Sequence, residues 1–505
     1  MDLKSIAYVG FAAVVAIAYY LAGRFKNGQK IVLLCANLFF ILAASGLKSL
    51  VIITACVAIS FFSGLLIEKN LGQKEKARRI FWLDVILSLA ILCYFKFFRD
   101  SFEAVRLFLS HRGLSISTLV SPIGISYFTL TMIAYANDIY HKKHPAEKNF
   151  LNYFVFITYF PSILQGPINL YKKTAPQFQQ IHKSDADRMI MGIQRSLWGY
   201  FKKVVVADRI GILVLGILGE ETAVGFTLFW AMVLYSFQIY ADFSGGIDVI
   251  MGISEVLDIR LPENFRAPLV SRSVTEYWQR WHMSLGEFME KYLYYPIVLN
   301  KSVMKFSKKI PNPYLKKVFS ATLASVIVFV LVGIWHGTGW NYVVYGCYQA
   351  FFVSTATLLG PLYKSLRTKL HLSDSSVSWR LFQTLRTFLI LTFGRFFIRA
   401  GYLRQAFTLF GRAARFSPGQ IHILFDDSLT AFGLDAANIR VMYLGILLMI
   451  AVDILHEHKI KLRETLMKQD IVCRYAVYLL AVFSIIIFGI YGPEFSSASF
   501  IYQGF

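Results

Sequence analysis

This sequence predicts an all-α polytopic membrane protein, and three observations predict it. Of its 505 residues, 56% are hydrophobic and 16% aromatic, and the mean hydropathy is +0.52, outside the range of a soluble domain. The apolar residues fall into long runs, about eleven to thirteen of them, many near the ~20 residues that cross a hydrocarbon layer. The 52 Lys and Arg, against 30 Asp and Glu, give a formal charge of +22 and gather between those runs. That is the positive-inside bias combined with attraction to anionic headgroups, so the lipid bilayer is the first partner expected. No nucleic-acid-binding motif accompanies the charge, and no nucleic acid is expected as a partner.

The first run, 6–23, is long enough to span and is followed by no small-residue cleavage motif, so it reads as a permanent helix. Arg24, Lys26 and Lys30 follow it. Two helices over 31–44 and 50–66 are joined by Ser45-Gly46-Leu47-Lys48, and a basic loop containing Lys74, Lys76, Arg78 and Arg79 comes next. Placing both basic loops in the cytoplasm puts Met1 outside, with an even number of helices between them. Further apolar segments run over 80–98, 116–139, 150–168, 192–218, 224–256, 318–334, 340–359, 379–398, 441–455 and 471–491. Ser121-Pro122-Ile123-Gly124 and Pro161-Ser162-Ile163-Leu164-Gln165-Gly166-Pro167 interrupt two of them. Broken backbone survives at membrane depth only where protein or a wet cavity satisfies the freed groups, so the breaks point to a cavity. Basic pairs flank 150–168 on both sides (Lys142-Lys143 and Lys172-Lys173), which makes that segment re-entrant. No internal repeat is evident. The chain divides into N-terminal helices (1–115), a core (116–360) that includes an amphipathic stretch at 258–317, and C-terminal helices (361–505). Cys35, Cys56, Cys93, Cys347 and Cys473 lie in apolar sequence without CxxC spacing. They read as packing residues, not as a metal site or disulfide framework.

Two Trp-His pairs carry the chemistry, in a chain with only 8 Trp and 10 His. Trp335-His336-Gly337 closes the uncharged run 319–334. A lone histidine there could simply be packed, but an ionisable group at such depth is expensive and usually functional. Trp281-His282 lies in 258–317, which is polar, basic and aromatic with no clear span. Its opening, Leu261-Pro262-Glu263-Asn264-Phe265-Arg266-Ala267-Pro268, forbids a continuous helix. Ser273-Val274-Thr275-Glu276 is then a capping-box pattern. In the helix it begins, Trp278, Trp281 and His282 share a face by i, i+3, i+4 spacing, with Arg280 and Glu287 elsewhere on the wheel. His282 is thus expected on the inward stripe of an amphipathic helix near the cytoplasmic surface. Lys301, Lys305, Lys308, Lys309, Lys316 and Lys317 place the whole segment on that side.

Asp242-Phe243-Ser244-Gly245-Gly246, Glu263-Asn264-Phe265-Arg266-Ala267-Pro268, Ser273-Val274-Thr275-Glu276-Tyr277-Trp278-Gln279-Arg280-Trp281-His282-Met283-Ser284-Leu285 and Trp335-His336-Gly337 resemble, in order and spacing, the motifs of the membrane-bound O-acyltransferase (MBOAT) family. The similarity is closest to its bacterial branch of alginate O-acetyltransferase-like proteins. It extends through 121–127 and 160–168, and Phe500-Ile501-Tyr502 resembles the branch's C-terminal end. The resemblance implies a ring of membrane helices around a thinned centre, where funnels from both faces nearly meet. It implies that His336 matches the family's essential histidine. His282 matches the second motif position, which is Asn, Asp or His across the family. Trp335, Trp278, Arg280, Trp281, Asn264 and Tyr277 would bind substrate or support the two histidines. The implied co-substrate is an acyl thioester, acetyl-CoA or an acyl carrier protein, with no bound cofactor and no metal. The implied setting is a bacterial plasma (inner) membrane, with a polysaccharide acceptor and an SGNH-type acetyltransferase or esterase partner outside it.

Acyl transfer from a thioester to a hydroxyl needs a base, and neutral imidazole with a pKa of about 6.5 suits it. His282, Arg280 and the indole N–H of Trp278 or Trp335 are candidates for stabilising the oxyanion. There is no G-x-S-x-G, so direct transfer is simpler than a seryl intermediate. Two H-x₄-D patterns, His182 with Asp187 and His422 with Asp427, lack supporting context. Asp242 and Asp248 could relay protons, or more simply cap a helix or pair with Arg260 or Arg266. The function expected is transfer of an acyl group, acetyl above all, toward an extracytoplasmic polysaccharide. Alternatives are D-alanyl transfer from a carrier protein to teichoic acid, or a transporter or flippase. Without a Walker A motif the last would not be an ATP-driven pump.

Overall fold

A computed structural model describes residues 3–99 and 120–491. The expectations on residues 116–119 and on Phe500-Ile501-Tyr502 lie outside the described residues. Among those described, the regular secondary structure is helical apart from one isolated antiparallel bridge, Phe265 to Trp281. Helices begin where the sequence supplies caps, because a side-chain oxygen satisfies the N–H groups that have no intrahelical partner. Ser5 caps α1 (Ile6–Ala22). Further along, Asn312, Asp435 and Asp470 cap the helices that start at Pro313, Ala436 and Ile471.

Six helices are long and apolar enough to cross a membrane, or up to seven if Trp340–Leu358 and Gly360–Lys369, bent by 64°, count as one span. The eleven to thirteen apolar runs of the sequence therefore resolve into fewer span-length helices and several shorter or bent ones. The chain is an all-α polytopic membrane protein. Its described residues fall into two compact units.

One unit gathers the residues up to Trp198 with Gly246–Pro262. It holds α1, α2 (Gly28–Lys69), α3 (Lys74–Cys93), α4 (Ile125–Tyr140) and α5 (Phe150–Thr158), together with most of α6 (Ala186–Tyr200). The two helices expected over 31–66 are both present within α2, separated at Gly46, whose φ of 78° and ψ of 176° are non-helical and whose positive φ glycine tolerates. Helix α5 has nine residues, a rise of about 13 Å, less than half the ~30 Å hydrocarbon layer. Where it stops, buried Asn37 meets the freed groups: its Oδ1 accepts from the Phe160 N–H (2.8 Å) and its Nδ2 donates to Thr158 Oγ1 (3.2 Å). His182 pairs with Asp258 (2.9 Å), not with the Asp187 of its H-x₄-D pattern. Asp248 pairs with Arg195 (2.9 Å), not with Arg260 or Arg266.

The second unit gathers Gly199–Gly245 with the described residues from Glu263 onward. It contains a π-helical turn (Phe201–Ala207), α7 (Asp208–Gly219) and the first part of α8 (Gly225–Val256). It also contains α9 (Val274–Arg280), α10 (Met283–Met289), α11 (Pro313–His336), α12 (Trp340–Leu358), α13 (Val377–Arg399), α14 (Ala436–Glu457) and α15 (Ile471–Phe488). Helices α11 and α12 form a close antiparallel hairpin. A Cβ on Gly333 would lie 2.4 Å from the Tyr342 carbonyl oxygen, and one on Gly346 would lie 2.5 Å from that of Phe329. Small residues at facing positions let the two backbones touch, the usual device for joining helices in lipid. Buried Lys203 bonds Asp242 and lies 3.0 Å from Asp208, so Asp242 is a structural partner of Lys203 and not of Arg260 or Arg266. His422 lies 3.3 Å from Asp426 on an exposed turn, with Asp427 not its partner.

Candidate active site

All eight residues singled out from the sequence lie in the second unit. His336 is the last residue of α11, 5% exposed. The ring of Tyr342 lies flat enough on Gly337 that a Cβ there would meet its Cε2 at 2.1 Å. Gly337 therefore leaves the chain directly after His336 no side chain that could displace that ring.

His282 does not lie on the expected helix. The capping box starts α9 as predicted, with Ser273 Oγ accepting from the Glu276 N–H (3.1 Å). The reciprocal bond goes instead from the Arg272 N–H to Glu276 (2.9 Å). The helix ends at Arg280, and Trp281 is extended. The i, i+3, i+4 face of Trp278, Trp281 and His282 is therefore not formed. The break comes from pairing with the upstream strand-like segment: Trp281 bridges Phe265, and the Arg266 N–H donates to the Arg280 carbonyl (3.0 Å). His282 follows with φ 48° and ψ 52° and precedes α10. A non-glycine residue in that left-handed region costs of order 1 kcal/mol or more and persists only where its surroundings impose it.

Asn264 imposes it. Its carbonyl accepts from the Met283 N–H (2.9 Å). Its side-chain Oδ1 accepts from the Ser284 N–H (3.0 Å) and Ser284 Oγ (2.8 Å), and lies 3.2 Å from His282 Nδ1. Asn264 thus caps α10 through the Ser284 N–H, 20 positions along the chain, while His282 itself makes no side-chain cap. Around the imidazole, the Phe243 ring stands edge-on at 4.9 Å and the Trp335 indole lies at 6.3 Å. The Trp335 indole is also 5.0 Å from the His336 ring, so one indole touches both histidines. His282 is 1% exposed, and burial pushes its pKa down to about 3 because the charged form loses its hydration. It is a neutral imidazole throughout the physiological range.

The other candidates are placed less directly. Trp278 Nε1 donates to Gln349 Oε1 (3.2 Å) and its ring meets Phe329. Arg280 bonds Glu276 (2.6 Å) and Glu457 (2.5 and 2.9 Å), so its charge is matched by two carboxylates. Tyr277 and Trp281 stack on each other at 5.5 Å. Sequence reasoning missed the residue that holds this stack. Buried Arg395, on α13, donates through Nη2 to Tyr277 Oη (2.6 Å), and its guanidinium lies 5.4 Å from the Trp281 ring. An arginine inside the apolar run 379–398 was the available signal.

The segment 258–317 does not lie wholly at one end of α11. His282 lies beside Trp335 near the C-terminal end of α11, whereas the exposed lysines 301–317 lie at its N-terminal end. A helix of this length separates those ends by roughly 35 Å. Residues 290–298 pack against α11.

The sequence model of the MBOAT, membrane-bound O-acyltransferase family, matches residues 81–391. A probable alginate O-acetylase of Pseudomonas syringae pv. tomato is 28% identical over 430 residues, covering 84% of this chain and 77% of that protein. A peptidoglycan O-acetyltransferase of Helicobacter pylori is 28% identical over 410 residues, covering 75% and 72%. A teichoic acid D-alanyltransferase of Bacillus subtilis is 29% identical over 244 residues, covering 47% and 59%.

Proposed function

Because the chain belongs to the membrane-bound O-acyltransferase family and is an O-acyltransferase, we propose that it moves an acetyl group from a cytoplasmic thioester across a bacterial plasma membrane for O-acetylation of an extracytoplasmic polysaccharide. The observation that carries this reading is the pair of buried histidines joined by the Trp335 indole, at the far end of a span-length helix from a lysine-rich loop. The lysines favour the cytoplasm under the positive-inside bias, where acyl thioesters are made. The histidines then lie toward the opposite side, where a hydroxyl could approach. Met1 lies outside on the same bias.

In this reading His336 is the general base. As the acceptor hydroxyl attacks the thioester carbonyl, the imidazole takes its proton, and the tetrahedral intermediate collapses with loss of the thiolate. Such assistance contributes about 10²–10⁴-fold, with positioning and charge stabilisation supplying the rest. An SGNH-type partner completes delivery to the polymer. The two relatives named for O-acetylation match over three quarters or more of this chain, against 47% for the D-alanyltransferase, which supports acetyl over D-alanyl. Family membership also displaces the transporter reading. The test is purified protein in proteoliposomes, given labelled acetyl-CoA, acetylated carrier protein or D-alanylated carrier protein. Label transfer from either acetyl donor is expected. Transfer from the D-alanyl donor alone would overturn the acetyl assignment.

A further inference from the structure

Asn264 and His282 present a question of proton placement. Neutral imidazole has one N–H and one lone pair, and the structure shows which nitrogen holds which. The Ser284 backbone N–H can only donate, so the Asn264 atom facing it at 3.0 Å must be the carbonyl oxygen. A flipped amide would set two donors against each other. That same oxygen lies 3.2 Å from His282 Nδ1. An oxygen acceptor facing an imidazole nitrogen at this distance requires a proton on that nitrogen. The left-handed backbone at His282 holds the ring in place, and Asn264 secures that backbone through the Met283 and Ser284 N–H groups. One residue therefore fixes both the pose and the tautomer.

We propose that Asn264 is the positioning residue that holds neutral His282 in its Nδ1–H tautomer, so that Nε2 serves acyl transfer as a hydrogen-bond acceptor and not as an oxyanion donor. This rests on the acyl-transfer reading and assigns a role within it. Nε2 accepts from a neighbouring hydroxyl of the acceptor and so orients the attacking hydroxyl, whose own proton goes to His336. It also reverses the expectation that His282 stabilises the oxyanion. Together with Trp278, committed to Gln349, and Arg280, committed to carboxylates, three of the four donors expected from the sequence are engaged elsewhere. The Asn264 side-chain nitrogen is buried with no hydrogen-bond partner among the described residues, so the amide makes all its side-chain bonds through the oxygen.

Two measurements test this on the full chain in nanodiscs. The first is nitrogen NMR on isotope-labelled histidine, the His282 resonance being identified by its loss in His282→Asn. A protonated Nδ1 with an unprotonated Nε2 is expected at neutral pH. The reverse tautomer, or imidazolium, overturns the proposal, and this arm is independent of whether acetyl is the group transferred. The second compares Asn264→Asp with Asn264→Leu in acyl transfer. Aspartate keeps an oxygen acceptor but adds a charge that raises the basicity of the imidazole. It should retain measurable turnover, with the acid limb of its pH–rate profile moved to higher pH. Leucine should lose about 10²-fold or more. Equal loss in both variants, or an unmoved acid limb in Asn264→Asp, overturns the role. Failure of the wild type to transfer acetyl from any donor would instead sink the acetyl reading while leaving the tautomer measurement decisive.

Discussion

His336 and His282 are both buried imidazoles, but their settings assign them different work. His336 ends a span-length helix, whereas His282 is locked between an amide oxygen and an aromatic edge. His336→Ala is expected to abolish acylation while leaving membrane insertion and yield nearly unchanged. A variant keeping more than about a tenth of wild-type polymer acylation would remove it from the general-base role. At the second position, His282→Ala should strongly reduce turnover and His282→Asn should keep a measurable part, because Asn can still accept a hydrogen bond. If the two variants are equally inactive in the same assay, an orienting acceptor is the wrong description. Both histidines were legible in the sequence, as paired Trp-His dipeptides in a family pattern. The restraint on His282 was not, because it comes from an oxygen 18 positions away across Pro268 and a short helix.

At the scale of the element, the decisive event is where α9 stops. Helical spacing would place Trp278, Trp281 and His282 on one face, and nothing in the residue pattern marks a break after Arg280. The Phe265–Trp281 bridge and the Arg266-to-Arg280 bond outcompete one more helical turn, because they give the 263–268 segment backbone partners that Pro262 and Pro268 deny it within a helix. The α11–α12 hairpin depends on contact of a different kind. Gly346→Leu is expected to push α12 from the Phe329 carbonyl and destabilise the unit by at least about 1–3 kcal/mol, the usual cost of overpacking. The check is the thermal midpoint in detergent, with Gly411→Leu as the control, since a Cβ at Gly411 meets nothing within 4 Å. An equal effect in both would mean that the hairpin contact is not what matters.

For the whole molecule, the question is which side each loop faces. Cysteines placed singly at Lys74 and Lys308 should resist a membrane-impermeant thiol reagent in intact cells and react after permeabilisation, because both lie in exposed basic loops. Labelling of the Lys308 site from outside would reverse the proposed direction of transfer, since it would place the lysine end of α11 outside and the histidine end within. The background must lack the exposed native Cys35 and Cys347.

Membrane class and the two histidines followed from the sequence itself, for one physical reason. Run length, charge between runs and the order of motifs are properties of neighbours along the chain, and the bilayer reads them one segment at a time. The number of full spans did not follow, because the break after Thr158 shortens one of the runs. Tertiary structure alone decided which donor meets which acceptor. Asp242 meets Lys203 and Asp248 meets Arg195, and Arg280 spends its charge on Glu457. Arg395 holds Tyr277 across 118 positions. Asn264 gives His282 its tautomer, and with it the direction of the hydrogen bond the site can make. Partners of this kind are chosen by distance and burial in three dimensions, where an unmatched polar group is costly and the nearest complementary one prevails.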